Sequence, residues 1–100
     1  SCLNCDVPTQ FNLKPAYPNP FNGQVNFDFD APEKKSVRFS IYDLSGREIY
    51  DRLILPSFGG KHRIVWNGTS DFGEEIPSGI YFYKFSTGNV INKGKITYLK

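Results

Sequence analysis

The segment IVWNGTSDFGEEIPSGIYFYKF, residues 64–85, decides the fold of this chain. It holds two apolar, aromatic-rich runs, one ending at Val65 and Trp66 and the other spanning Ile80 to Phe85. Between them lie Asn67, Gly68, Ser70, Asp71, Gly73, Pro77, Ser78 and Gly79. Such residues reverse a chain: glycine supplies positive φ, proline pre-sets φ, and Asn, Asp and Ser hydrogen-bond their own backbone. Two antiparallel strands around a structured loop follow. Trp66, the single tryptophan, is expected as a core plug beside the hairpin base rather than as a ligand platform.

Outward from this segment, side chains alternate with the period of a half-buried strand. In Gln24–Asp30 the residues Val25, Phe27 and Phe29 share one face, and Asn26, Asp28 and Asp30 the other. Val37, Phe39 and Ile41 repeat the pattern while Arg38, Ser40 and Tyr42 face away, and LSGRE at 44–48 makes a tight turn. Ile49–Leu55 mixes apolar and charged side chains on both faces, as an edge strand tolerates. After a turn over Pro56–Gly60, His62, Ile64 and Trp66 share a face. Lys84 assigns one side of the next run to solvent, so Tyr81, Tyr83 and Phe85 point inward and Ile80 and Phe82 outward. A TGN turn at 87–89 then leads to a last strand with Lys93, Lys95 and Thr97 opposite Ile96 and Tyr98. Upstream, Phe11–Leu13 forms a short edge strand, and AYPNPFNG at 16–23 is a rigid proline turn whose Tyr17 and Phe21 pack at the rim.

No 3.6-residue period persists across ten residues. About seven short strands, with turn signals roughly every 8 to 12 residues, predict an all-β, immunoglobulin-like antiparallel β-sandwich. The Cys–Trp–Cys spacing of antibody domains is absent. Expected core positions are Val25, Phe27, Phe29, Val37, Phe39, Ile41, Ile64, Trp66, Tyr81, Tyr83 and Ile96. Residues 1–10 read as a linker and residues 11–100 as one domain.

The 12 Lys and Arg residues against 10 Asp and Glu give a net charge of +2 without a long basic run, which points away from nucleic acid. No apolar run reaches the ~20 residues of a membrane helix. Residues 1–15 lack a signal-peptide pattern, so an exported protein would carry this chain as a mature piece of something longer. Cys2 and Cys5 are too few for a tetrahedral zinc site, and Pro8 breaks the helix a redox pair would need. An oxidised pair in a linker is expected, as in exported proteins; a bridge to a neighbouring module or two loose thiols are the other readings.

Catalysis fails on inventory, since His62, the one histidine, sits on a strand with no Ser or Cys placed as its nucleophile. Asp28 and Asp30 lie on a solvated strand face. Asp71, Glu74 and Glu75 form a loop with fewer oxygen ligands than a hard cation usually takes, so no metal or other cofactor is expected. Asn67-Gly68-Thr69 matches a glycosylation sequon, a short pattern that chance also produces. Tyr42, Tyr50, Phe58, Phe72 and Phe82 are candidate exposed aromatics. A row of them would stack on sugar rings, or would simply meet solvent or an adjacent domain.

Four pieces in this order, YPNPFN at 17–22, VRFSIYDLSGREI at 37–49, VWNGTSDFGEEIPSGIYFYKF at 65–85 and KGKITYLK at 93–100, resemble the C-terminal sorting domain of the type IX secretion system. They are also similar to the related immunoglobulin-like domain of the flagellar hook-capping protein. The resemblance covers Leu13 to Lys100. Asn67 stands where the family commonly has Asp, and Gly23 where it commonly has Pro.

The resemblance implies a non-catalytic address label on an exported protein of a Gram-negative bacterium. The label would be recognised by an outer-membrane translocon after crossing the periplasm. A sortase-like peptidase would then usually remove it, leaving the upstream cargo domain secreted or at the cell surface. By matching position, the recognition residues would be Pro18, Asn19 and Pro20 in the proline turn, Gly79 and Tyr81 in SGIY, and the terminal segment with Lys93, Lys95 and Lys100. A label of this kind ends its polypeptide, as Lys100 would here. A terminal strand with an accessible edge suits such a role, because a receptor strand can pair with it. The competing readings are a carbohydrate-binding or adhesive accessory module, and a structural spacer or hook-assembly module.

Overall fold

The computed structural model describes residues 11–32, 35–54 and 60–100. Cys2, Cys5, the linker 1–10, Phe58 and most of the turn after Ile54 lie outside the described residues. The strands are β1 (Asn12–Leu13), β2 (Val25–Ala31), β3 (Val37–Tyr42), β4 (Glu48–Ile54), β5 (Gly60–Trp66), β6 (Gly79–Thr87) and β7 (Val90–Tyr98). They form two antiparallel sheets in the orders β1-β2-β5 and β4-β3-β6-β7. This is the immunoglobulin-like sandwich that the alternation predicts.

The inner faces follow from the period-two pattern. Every second residue of β2, from Val25 to Ala31, is buried. Val37, Phe39 and Ile41 of β3 are buried likewise, as are Tyr81 and Phe85 of β6 and Ile96 and Tyr98 of β7. Ile64 and Tyr83 pack against this core while partly exposed. At its centre the ring of Phe85 lies 4.7 Å from Phe39, 5.4 Å from Phe29 and 5.7 Å from Phe27, centroid to centroid. Such tilted aromatic contacts add to the area they bury. His62 lies against the sheet with its ring 5.5 Å from that of Phe29.

The hairpin expected across residues 64–85 does not form: β5 pairs with β2 while β6 pairs with β3 and β7, so the loop after Trp66 carries the chain from one sheet to the other. Two side chains also differ from expectation. Phe21 is a core residue with only 1% of its surface exposed, stacked 4.7 Å from Tyr98 and 5.8 Å from Trp66. It therefore plugs the end of the sandwich and does not merely line its rim. Tyr50, grouped above with exposed aromatics, packs inward at 5.9 Å from Phe39 and 6.0 Å from Trp66. Tyr50 is the cross-strand partner of inward-facing Ile41, and the register shifts immediately after it, with Tyr42 opposite Glu48, which leaves Ile49 as the extra residue. A bulge of this kind breaks alternation, so buried Ile49 and core-packed Tyr50 are consecutive.

The turns carry their own polar supports. In the β3–β4 turn, Asp43 Oδ1 accepts the Ser45 and Arg47 N–H groups at 3.0 and 2.9 Å. After β5, the Trp66 indole N–H donates to the Thr69 carbonyl at 2.9 Å. Gly68 is needed there twice over. Its φ is +80°, and a Cβ would sit 2.9 Å from the Tyr98 ring. The loop is then clamped onto β4: Asp71 accepts the Asp51 N–H at 2.9 Å and pairs with Arg52, while its own N–H donates to the Ile49 carbonyl at 2.8 Å.

Candidate functional site

The recognition residues suggested by sequence do not form a pocket of reactive groups. Most of them converge on one end of the four-stranded sheet, where the proline turn crosses from one sheet to the other. Tyr17 bridges antiparallel to Asn26 of β2, and Phe21 bridges parallel to Tyr98 of β7. Between these points the chain runs along the outer edge of β7. Pro18, Asn19 and Pro20 are exposed, and the peptide bonds preceding both prolines are cis.

This crossing satisfies the C-terminal half of an edge strand. Phe21 N–H donates to the Thr97 carbonyl at 2.9 Å, and Leu99 N–H donates to the Phe21 carbonyl at 2.9 Å. The Asn19 amide reaches further up the strand, accepting the Thr97 N–H at 3.0 Å and donating to the Lys95 carbonyl at 3.1 Å. Asn22 Nδ2 donates to the Leu99 carbonyl at 2.9 Å. Backbone groups at an unsatisfied edge would otherwise invite pairing with another chain. Asn22 escaped the sequence reading, and its only local signal is its place after PNPF.

Gly79 and Tyr81 lie at the same end. Gly79 pairs with Tyr98 across β6 and β7. The buried Tyr81 hydroxyl donates to the Pro77 carbonyl at 2.6 Å, closing the loop before β6. Burial raises its phenol pKa, and the nearby Asp43 charge adds to the rise. Lys100 N–H donates to Ser78 Oγ at 2.9 Å, and its ammonium lies 3.5 Å from Glu75. The proline turn, SGIY and the chain end are thus one assembly.

Lys93 and Lys95 stand apart from it, on the outer face of the sheet. There Lys93 pairs with Lys84 and Lys95 with Phe82 across β6 and β7. Tyr42, Phe82, Lys84, Lys93 and Lys95 surround a shallow depression of about 580 Å³. Phe82 is 40% exposed, and the Lys84 ammonium lies 5.5 Å from the Tyr42 ring centre. In the sequence Lys84 marks only the solvent side of its strand.

The acidic candidates have structural partners. Asp28 accepts from Arg63 Nε at 2.7 Å and from the Tyr17 hydroxyl at 2.8 Å. The Arg63 hydrogen bond, helped by that of Tyr17, holds the Asp28 carboxyl below the usual carboxylate range. Asp30 faces Lys14 at 3.4 Å. Both carboxylate oxygens of Asp71 are engaged by Arg52 and the Asp51 N–H. Among the described residues, no group of three or more His, Cys, Asp or Glu side chains is placed to hold a metal ion. The Thr69 hydroxyl of the sequon donates to Asn67 Oδ1 at 2.7 Å.

Residues 15–98 match a protein family described as the secretion system C-terminal sorting domain. No curated protein matches the sequence. Among solved structures, the chain is similar to dimeric latent PorU from Porphyromonas gingivalis, with a TM-score of 0.74 and 22% identity. It is similar to PorZ of the same organism, a surface component of the type-IX secretion system, with a TM-score of 0.62 and 19% identity. It covers 89% of itself in both matches but only 9% of the PorU chain and 12% of the PorZ chain. FlgD from Xanthomonas campestris, associated with hook capping in flagellar assembly, matches with a TM-score of 0.60 and 21% identity over 91% of this chain and 63% of that one. At these identities the likeness to solved structures shows a shared fold.

Proposed function

The chain belongs to the secretion system C-terminal sorting domain family, and from that premise we propose that it is the non-catalytic address of an exported protein that leaves the cell by the type IX route. The observation that carries this reading is the extent of the family match, residues 15–98, which takes in both the proline turn and the strand it closes. In this reading residues 11–100 fold as the label and residues 1–10 tie it to the upstream cargo domain. The outer-membrane translocon reads the folded label after the cargo has crossed the periplasm of a Gram-negative bacterium. A sortase-like peptidase then separates label from cargo, which is released or stays at the cell surface.

The physical support is the way the family's sequence pieces are used. Pro18–Asn22, Gly79, Tyr81 and the chain end build one hydrogen-bonded corner, and a pre-ordered surface is what a receptor serving many cargoes needs. Pre-ordering lowers the entropy lost on recognition. The corner presents shape and a few charges, which suffice for an address.

The test is a periplasmic reporter fused to the 100-residue chain, expressed in a host that uses type IX secretion. The reporter is expected outside the cell, and fusion to residues 11–100 alone tests the domain boundary. Replacing Lys93, Lys95 and Lys100 together by Glu, with folding checked by circular dichroism, is expected to retain the reporter inside. A reporter that stays in the periplasm with the unaltered chain overturns the proposal.

A carbohydrate-binding module is the second reading, favoured by Phe82 and Tyr42 beside the outer-face depression. It requires saturable binding of a polysaccharide that Phe82→Ala abolishes.

A further inference from the structure

Strand β7 is an edge of its sheet, and its outward side is divided in two. In an antiparallel pair, the backbone groups of alternate residues point toward the partner strand, and those of the residues between point away. Thr97 and Leu99 belong to the outward set, because their backbone groups are taken by Asn19, Phe21 and Asn22. The same parity turns the backbone groups of Ile91 and Lys93 outward, together with the Lys95 N–H. Among the described residues these have no backbone or side-chain partner. The proline turn therefore closes one half of the edge and leaves the other open, flanked by Val90 and Ile91 at 45% and 58% exposure.

Three lysines stand beside this open half. Lys84 and Lys93 are directly opposite each other in the β6–β7 register, with Lys95 two residues along the same face. Like charges in that relation oppose pairing. None of the three is in an ion pair among the described residues, whereas Arg38, Arg47, Arg52 and Arg63 all are. Lysines on an edge strand guard it against self-association, which accounts for Lys93 and Lys95. It does not account for Lys84, which belongs to the inner strand β6 and adds to the positive field where an incoming chain would lie.

We infer that the open edge at Val90–Lys95 accepts an extended acidic segment of another polypeptide, added as a further antiparallel or parallel strand. Its backbone takes the outward groups of Ile91 and Lys93. Its alternate Asp or Glu side chains stand on the outer face beside Lys93 and Lys95, within reach of Lys84. A second copy of β7 would bring its own Lys93 and Lys95 to the same edge and is disfavoured by like charge. An anionic polysaccharide would answer the charges but not the two-residue alternation of amide groups. The inference deepens the sorting reading and rests on it for the existence of a polypeptide that reads this surface.

The test uses the 100-residue chain and a capped nonapeptide of alternating Glu and Thr, followed by NMR amide hydrogen exchange. Saturable binding is expected, with exchange at Ile91 and Lys93 slowed at least tenfold and that at Thr97, already bonded, unchanged. Lys84→Glu with Lys93→Glu is expected to weaken binding at least tenfold and to shift preference to a Lys–Thr nonapeptide. N-methylation of alternate peptide nitrogens is expected to weaken binding at least tenfold. Absence of saturable binding overturns the inference, as does equal binding of the methylated peptide. So does tighter binding of polygalacturonate with exchange at Ile91 and Lys93 unaltered. Each of these results leaves the sorting reading standing if the reporter is still exported.

Discussion

The side-chain amide of Asn19 stands in for a strand neighbour of Thr97, accepting its N–H at 3.0 Å while donating to the Lys95 carbonyl at 3.1 Å. One side chain thus answers a donor and an acceptor on the edge of β7. It extends the cover that the Phe21 backbone provides, and it fixes where the closed half of the edge stops. The proline turn is in this sense part of the sheet, although it contributes only isolated bridges to it.

Asn19→Ala removes both bonds from an exposed position, and the chain is expected to lose about 1–2 kcal/mol at the usual net value of a hydrogen bond. Asn19→Asp keeps an acceptor for Thr97 but sets a carboxylate against the Lys95 carbonyl, so it should not restore the loss. Urea unfolding measures the cost and amide exchange at Thr97 locates it. Wild-type stability and unchanged exchange in Asn19→Ala would show that the edge does not depend on this side chain.

Gly94 and Tyr83 are cross-strand partners, and a Cβ on Gly94 would collide with the Tyr83 hydroxyl and ring, including Cε2 at 2.7 Å. The ring is also held edge-on against Phe27 at 5.0 Å, so it cannot simply swing aside. Gly94→Ala is expected to cost about 1–3 kcal/mol through overpacking. In a Tyr83→Leu background most of that penalty should vanish, giving a coupling of roughly 0.5–3 kcal/mol. Purely additive costs in the double-mutant cycle would refute a steric origin.

Phe85 meets aromatic rings from β2, β3 and β6, and Phe11 just upstream of β1 lies 5.9 Å away. Phe85→Ala should cost about 3–5 kcal/mol, because this shell cannot collapse into the space left behind. That is much of the ~5–15 kcal/mol a domain holds. Calorimetry should accordingly show either a transition shifted steeply downward or none at all.

Acid and alkali should each destabilise the fold through named groups. Asp28 and Asp43 have carboxyl pKa values lowered in the folded state, Asp28 chiefly by the Arg63 hydrogen bond and Asp43 chiefly by that of Ser45. Their contribution is present above the ordinary carboxylate pKa of about 4 and is lost as pH falls through the lower folded values. Tyr81 and Tyr83 have pKa values raised, first of all by burial. The unfolded chain releases those protons first, so stability falls as pH rises past about 10. Melting temperature against pH reads both limbs. Asp28→Asn with Asp43→Asn should flatten the acid limb, and an unaltered slope would exclude these carboxylates as its source.

Asp71 is expected to act as a clamp between the loop and β4. Asp71→Ala should destabilise by about 1 kcal/mol, since its ion pair with Arg52 is largely solvated and its backbone bond is the firmer contact. Because both carboxylate oxygens are engaged, millimolar calcium should leave the melting temperature unchanged. A rise on adding calcium would show that the loop can rearrange around a cation.

Much of the fold was legible in local pattern. Alternation in β2, β3 and β6 assigned the inner faces, and the mixed composition of β4 marked it as an edge, where the sheet order places it. Pattern failed over Ile49 and Tyr50, because the register shift after the Ile41–Tyr50 pair turns two consecutive residues inward and cancels the period on which the assignment rests. It failed also at Phe21, a large apolar side chain among turn residues, whose burial depends on Trp66 and Tyr98 arriving from far along the chain. The quoted motif pieces identified the family, yet their local chemistry is that of turns and caps.

The sequence by itself determined which residues extend, which reverse the chain and which face of each strand is apolar, because those choices are made between near neighbours. Only the tertiary structure decided that the proline turn closes part of β7 and leaves the stretch from Val90 to Lys95 open. The bonds that draw this line join residues 76 to 78 positions apart. A contact of that span leaves no periodicity to read, and Asn19 carries no mark of it until the sheets have formed and brought Thr97 alongside.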